Sequence, residues 1–321
     1  MRNLILSATC GDPASIGPEV CIAALKEFLT KHPSLELRLF GPSRFLEERF
    51  SKELKFLKQN TQLNLIDAEP DFSGFQPGRG TPDSARRALL DLRGATQTCL
   101  RERIPCLITG PVDKSLCAQV ESNFRGQTEF LMRESNSNSV CMLLESSRFK
   151  VALVTTHLPL REVPDAIRPE RIERAARHLH DYLKALQIEK PLIAVCGLNP
   201  HASDHGLIGT EENEIIAPAI KRLQDLGIHC EGPFPADSLF AKAEAYDGIL
   251  AMYHDQGLIP IKTHGFFDAI NISLGLPFLR LSVDHGTAFG LVGKNEASSK
   301  SYYLSLEAAL RWAERSSPPH S

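Results

Sequence analysis

Three short apolar runs in this chain each end in a histidine set in a polar loop: VALVTTHLPL with His157, PLIAVCGLNPHASDHG with His201, and DGILAMYHDQG with His254. Each run has the length and the aliphatic or β-branched content of a buried parallel strand, which points to an α/β protein. In open α/β sheets, ligands bind at the loops beyond the strands' carboxyl ends. Three neutral imidazoles converging there suit a divalent metal that keeps open positions for a substrate.

The rest of the chain is consistent with that architecture. Its 321 residues, 42% hydrophobic, are enough for two lobes. A net charge of -3 leaves no electrostatic footprint for nucleic acid, and no apolar run is long enough for a membrane span. The start, MRNLILSATCGDP, reads as a first strand and not as a signal peptide. The eight cysteines are scattered without a C-x-x-C pair, as in a reduced, cytoplasmic protein.

Strand-like and helix-like segments alternate from end to end. Strands are expected at Leu4–Thr9, Leu35–Phe40, Gln62–Ile66, Ile104–Thr109, Pro191–Cys196, Gly248–Met252 and Ala269–Leu274. Ser139–Glu145 and Lys150–Thr155 read as a hairpin through Ser146-Ser147. Helices are expected over Phe45–Leu57, from Thr81-Pro82-Asp83 to about Arg101, and over Pro169–Leu186, Glu212–Leu226 and Ser299–Glu314, with a disordered SSPPHS tail. With no linker or repeat, the chain crosses between lobes more than once: 1–130 with 282–321 forms one, and 131–281 the other.

Histidine separations of 44 and 53 residues (157 to 201 to 254) match no zinc finger. All-imidazole ligation leaves the full charge on the metal as a Lewis acid, and His205 competes with His201 for a place in the set. Lys262, Asn271 and Arg280 lie in or beside apolar segments. Cations placed so have anionic partners, either an internal carboxylate or a substrate phosphate or carboxylate. Asp237, in a Pro-rich loop, is a general base or a turn residue. GDPASIGPEV offers backbone N–H groups to an anion or is a tight turn, and GQTEFL puts Gln127 and Thr128 at a helix start. The Rossmann and P-loop fingerprints are absent.

At GDPASIGPEV, TGPVDK, GQTEFL, TTHLPLREVP, GLNPHASDHGLIGTEE, GPFPADSLF, AMYHDQGLIPIK and INISLGLPFLRLSVDHGTA the chain resembles the NAD-dependent 4-hydroxythreonine-4-phosphate dehydrogenases of pyridoxal phosphate biosynthesis. The resemblance implies a two-lobed α/β/α fold like that of isocitrate and isopropylmalate dehydrogenases, which binds NAD without a Rossmann motif. It implies a homodimer whose active site lies in the cleft between lobes and is completed by the partner. The family's metal ligands fall on His157, His201 and His254, the third coming from the partner chain, with zinc, cobalt, magnesium or manganese as the metal. Its substrate contacts fall on Thr128, Lys262, Asn271 and Arg280, and an active-site aspartate on Asp237. The implied reaction oxidises 4-phosphooxy-L-threonine to a β-keto acid that loses CO₂ to give 3-amino-2-oxopropyl phosphate. The family motif GHTEFL reads GQTEFL here, so Gln127 replaces a substrate-contacting histidine and can carry no proton or charge. That keeps open a sister activity on 4-phosphothreonate or 4-phosphoerythronate. Oxidation of aromatic dihydrodiols and a tri-histidine zinc hydrolase or aldolase are further alternatives.

Overall fold

Branched side chains that fill both faces of a sheet turn the apolar runs into strands. The computed structural model describes residues 4–70, 74–265 and 269–316. Its strands are β1 (Ile5–Thr9), β2 (Glu36–Phe40), β3 (Gln62–Ile66), β4 (Cys106–Thr109), β5 (Cys141–Glu145), β6 (Lys150–Leu153), β7 (Leu192–Cys196), β8 (His229–Phe234), β9 (Gly248–Ala251), β10 (Ile270–Leu274) and β11 (Leu279–Ser282). Apart from Ser316, which ends the last helix, the SSPPHS tail lies outside the described residues. The chain divides into two compact units, Met1–Val140 with Gly275–Ser321, and Cys141–Leu274. The sequence set these boundaries near 130 and 282.

In the first unit the strand order is β3-β2-β1-β4-β11, with every pair parallel. Leu89, Leu92, Leu107, Phe124, Phe130 and Phe278 share its core. The Pro82–Glu102 helix starts where Thr81 and Ser84 each accept the other's backbone N–H, a reciprocal cap that fixes the entry of the chain. In the second unit the order is β10-β5-β6-β9-β7-β8. There β5 is antiparallel to β10 and β6, giving the expected hairpin, and the remaining pairs are parallel. Phe149, Val151, Leu153, Ala194, Ile249 and Ala251 form its core. All eight cysteines are free thiols and buried. Among the described residues no helix is long and apolar enough to cross a membrane.

Several elements differ from the sequence reading, among them β11 and the His254–Gly265 helix, which it did not expect. The expected Phe45–Leu57 helix is two, Ser43–Arg49 and Ser51–Asn60, broken at Phe50 with φ -122° and ψ 38°. The Glu212–Leu226 helix opens with a π-turn at Glu212–Ile216 before Ala217–Asp225. β8 was not expected, because HCEGPF carries Gly232 and Pro233 and little apolar alternation; at the end of the strand order, the missing N–H of Pro233 is tolerated.

GDPASIGPEV is a tight turn and not an anion cradle. The N–H of Asp12 donates to Pro111 O at 2.8 Å, that of Ala14 to Asp12 Oδ1 at 2.9 Å, that of Ile16 to Thr287 O at 3.1 Å and that of Gly17 to Ser15 Oγ at 2.9 Å. Gly11, at φ +78°, passes so near the next loop that a Cβ would lie 2.3 Å from Pro111 O. Burial pushes the Asp12 carboxyl up to about 6, even though Ala14 and Ser84 both donate to it. The folded chain therefore holds this proton more tightly than the unfolded one. The contribution is fully present below about pH 4 and is lost as pH rises through about 6, by up to about 3 kcal/mol. Asp12→Asn, neutral throughout, is expected to flatten that part of the curve in urea unfolding between about pH 4 and 7. Parallel curves for variant and wild type would show that Asp12 is ionised at no cost.

Candidate active site

In the first unit Arg280 is the centre of a polar cluster. Its position on β11, beside β4, brings it to Thr109 at the end of that strand. It is 6% exposed, with Nε donating to Thr109 Oγ1 at 3.0 Å and Nη2 donating to Gln127 Oε1 at 3.0 Å. Gln127 opens the Gln127–Glu134 helix and donates from Nε2 to Gly110 O at 2.9 Å. A carbonyl can only accept and a guanidinium can only donate, so the amide has one possible orientation. Gln127 thereby spends one donor and one acceptor on the protein and aims the guanidinium. Burial lowers the Arg280 pKa to about 10, with Glu129 opposing, so the group is charged at neutral pH. Thr128, the next residue of the helix, is half-buried.

In the second unit the histidines stand where the sequence put them, beyond the carboxyl ends of β6, β7 and β9. The rings of His157 and His254 lie 5.6 Å apart between centroids, inclined at 44°. His254 starts the His254–Gly265 helix, and its Nδ1 is 2.7 Å from Asp255 Oδ1. A carboxylate accepts, so Nδ1 carries the proton and Nε2 is left as the free lone pair. The helix sets His254, Leu258 and Lys262 at i, i+4 and i+8 on one face. They share with Asp255, Ile259 and Thr263 a surface groove of about 380 Å³.

His201 sits in an unusual loop. His201, Ala202, Ser203, Asp204 and His205 all have positive φ, between 45° and 69°. Left-handed backbone costs a non-glycine residue roughly 1–2 kcal/mol, so the loop must be held by its surroundings. Glu212, 1% exposed, does so: its Oε1 accepts the N–H groups of Leu198 and Asn199, both at 2.7 Å, and its Oε2 accepts from Asn199 Nδ2 at 2.9 Å. Gly197 leaves the needed room, since a Cβ there would lie 2.9 Å from Ala202 Cα.

Two further candidates lie apart from the histidines in sequence. Asp237 is exposed in a short Ala236–Leu239 turn of helix, where its Oδ1 accepts from Ser238 N at 2.8 Å. Asn271, on β10, holds a buried Oδ1 without a hydrogen-bond partner among the described residues. Sequence reasoning missed Asp255, Glu212 and Gln127's tie to Arg280. For Asp255 the signal was present, a carboxylate directly following a strand-end histidine.

The donor set bears on the metal. Two imidazoles on one tetrahedral ion have ring centres roughly 5 Å apart, and the His157–His254 pair, with Nε2 of His254 uncommitted, fits two such ligands. A third is not gathered with them: among the described residues of one chain no group of three or more His, Cys, Asp or Glu could hold a metal ion. Among the described residues one chain brings two of the three imidazoles together, a partial set for such an ion.

Over nearly its whole length the chain is similar to known dehydrogenases. A curated 4-hydroxythreonine-4-phosphate dehydrogenase of Thioalkalivibrio sulfidiphilus is 40% identical over 96% of both chains. The crystal structure of a 4-hydroxythreonine-4-phosphate dehydrogenase from Klebsiella pneumoniae superposes with a TM-score of 0.83 at 32% identity, covering 97% of this chain and 99% of that one. A terephthalate 1,2-cis-dihydrodiol dehydrogenase from Burkholderia xenovorans superposes with a TM-score of 0.71 at 25% identity, over 97% and 98%. The family model for the pyridoxal phosphate biosynthetic protein PdxA matches residues 20–311, and the chain belongs to that family.

Proposed function

We propose that this protein is an NAD-dependent 4-hydroxythreonine-4-phosphate dehydrogenase that works in the cytoplasm as a homodimer with shared active sites. The observation that carries the reading is the match, across 96% of both chains, to a dehydrogenase of that name, together with histidines at the ends of three strands. In this reading the C3 hydroxyl of 4-phosphooxy-L-threonine would lose its proton and C3 its hydride, for which NAD⁺ would be the acceptor. The product, 2-amino-3-oxo-4-phosphooxybutanoate, decarboxylates to 3-amino-2-oxopropyl phosphate.

His157, His201 and His254 would hold the divalent metal, zinc before cobalt, magnesium or manganese, with a second copy of the chain completing the partial set. When bound, the metal supplies Lewis acidity that lowers the pKa of a hydroxyl. Arg280, aimed by Gln127 and Thr109, and Lys262 bind the anionic groups. The Asn271 Oδ1 takes a donor from the substrate, Thr128 contacts it, and Asp237 accepts the hydroxyl proton.

Mixing the protein with NAD⁺, a divalent metal and 4-phosphooxy-L-threonine is expected to produce NADH absorbance that a chelator abolishes. Absence of NADH from this substrate, or turnover indifferent to the chelator, would overturn the reading. The uncharged Gln127 favours one second reading, oxidation of 4-phosphothreonate or 4-phosphoerythronate. Turnover of those substrates alone would establish it.

A further inference from the structure

The loops that carry the three histidines are not independent. Strand β9 ends at Ala251, and the next residue, Met252, is held from two sides. Its carbonyl accepts the N–H of Thr155 at 3.1 Å and the Thr155 hydroxyl at 2.7 Å, which ties down the loop leading to His157. Its N–H donates to Gln256 Oε1 at 2.7 Å. The other end of the same amide, Nε2, donates to Gly197 O at 2.7 Å. Gly197 follows β7 directly and is the root of the His201 loop, the segment whose next two N–H groups Glu212 holds. The Gln256 side chain therefore spans the roots of the His201 and His254 loops. Its orientation is forced, because Met252 N–H can only donate and Gly197 C=O can only accept.

We propose that Gln256 is a positioning residue that locks the His201 loop to the start of the His254 helix, so that each imidazole is held in a fixed arrangement for the metal site it serves, its own chain's or the partner's. This rests on the histidine metal site proposed above. Gln256 is suited to the task because it sits in the first turn of the helix that His254 begins, and Gly257 lets that helix lie against β6: a Cβ there would be 2.7 Å from Leu153 Cδ2. A side-chain amide satisfies an N–H and a carbonyl at once through its two ends. Methionine offers only a weak acceptor and no donor, and a carboxylate presents a lone pair to the Gly197 carbonyl. The left-handed His201 loop carries backbone strain, so a lost tether gives it a reason to relax.

The test compares Co²⁺ binding by calorimetry and steady-state kinetics in the full-length wild type, Gln256→Met, Gln256→Glu and His201→Ala. Both Gln256 variants are expected to bind Co²⁺ roughly 10–100-fold more weakly, the range measured for groups that orient metal ligands. kcat should fall by a similar factor, with KM for the phosphorylated substrate within about twofold. Gln256→Glu preserves shape, so it carries the test if Gln256→Met does not fold. A residue that served only the fold would lower the melting temperature and leave Co²⁺ affinity intact in the folded fraction; that result overturns the proposal. If His201→Ala loses Co²⁺ while both Gln256 variants keep it, the positioning role alone fails. If His201→Ala binds Co²⁺ like the wild type, the histidine site fails and the proposal with it.

Discussion

His254→Ala is expected to lower turnover by about a thousandfold or more while leaving the fold in place. A metal acting as Lewis acid contributes several kcal/mol of transition-state stabilisation, and each ~1.4 kcal/mol is a factor of ten. Loss of one of three ligands forfeits most of that. The stability cost is small because the side chain is 34% exposed and Asp255, which it meets through Nδ1, is 71% exposed, so the contact between them adds little. Asp255→Asn is the graded version. The histidine remains, but the carboxylate that fixes its tautomer does not, and a loss of roughly 10–100-fold is expected. Circular dichroism and a melting curve read the fold, and NADH formation reads the rate. An active His254→Ala enzyme would remove the metal from the mechanism.

The same variant shows which chain completes the site. If His254 serves its partner, mixing inactive His157→Ala with inactive His254→Ala creates heterodimers in which one of two sites has all three histidines. Random reassociation then restores about a quarter of the wild-type activity. If the three act within one chain, as the 5.6 Å spacing of His157 and His254 allows for two of them, every site in the mixture lacks a ligand and activity stays absent.

The strand-end histidines and the α/β architecture could be read from the chain because both depend on local pattern: apolar runs of strand length, each followed by a polar loop. Elements that depend on tertiary context could not. The His254–Gly265 helix contains Gly257 and Pro260, both poor helix formers, and its apolar content suggested only a run leading to Lys262. Packing decides there, since the glycine is where the helix meets Leu153. The left-handed run from His201 to His205 includes no glycine to announce it and is held by Glu212, a residue the sequence reading placed only at the start of a helix. Gln127 was visible as a departure from the family's histidine. Its partner was not, because the orientation of its amide depends on a carbonyl 17 residues away.

Replacing Arg280 is expected to separate charge from geometry. In Arg280→Ala the acceptors on Thr109 and Gln127 lose their donor inside the protein, at a stability cost of about 2–4 kcal/mol. kcat/KM for a phosphorylated substrate should fall roughly a hundredfold or more as a buried cation is lost. Arg280→Lys is more telling. The lysine keeps the charge but cannot reach Thr109 and Gln127 in fork geometry. It also begins about two pKa units below arginine and meets the same burial that brings arginine down to about 10. At neutral pH it should bind substrate weakly; as pH rises through about 8 it should lose its proton, and KM should climb. The wild-type arginine stays charged there, and its KM should be flat over the same range. KM measured from about pH 7 to 9 in both proteins decides the matter. Matching flat profiles would make Arg280 a strut between β4 and the Gln127 helix, and the anion would then have to be bound elsewhere.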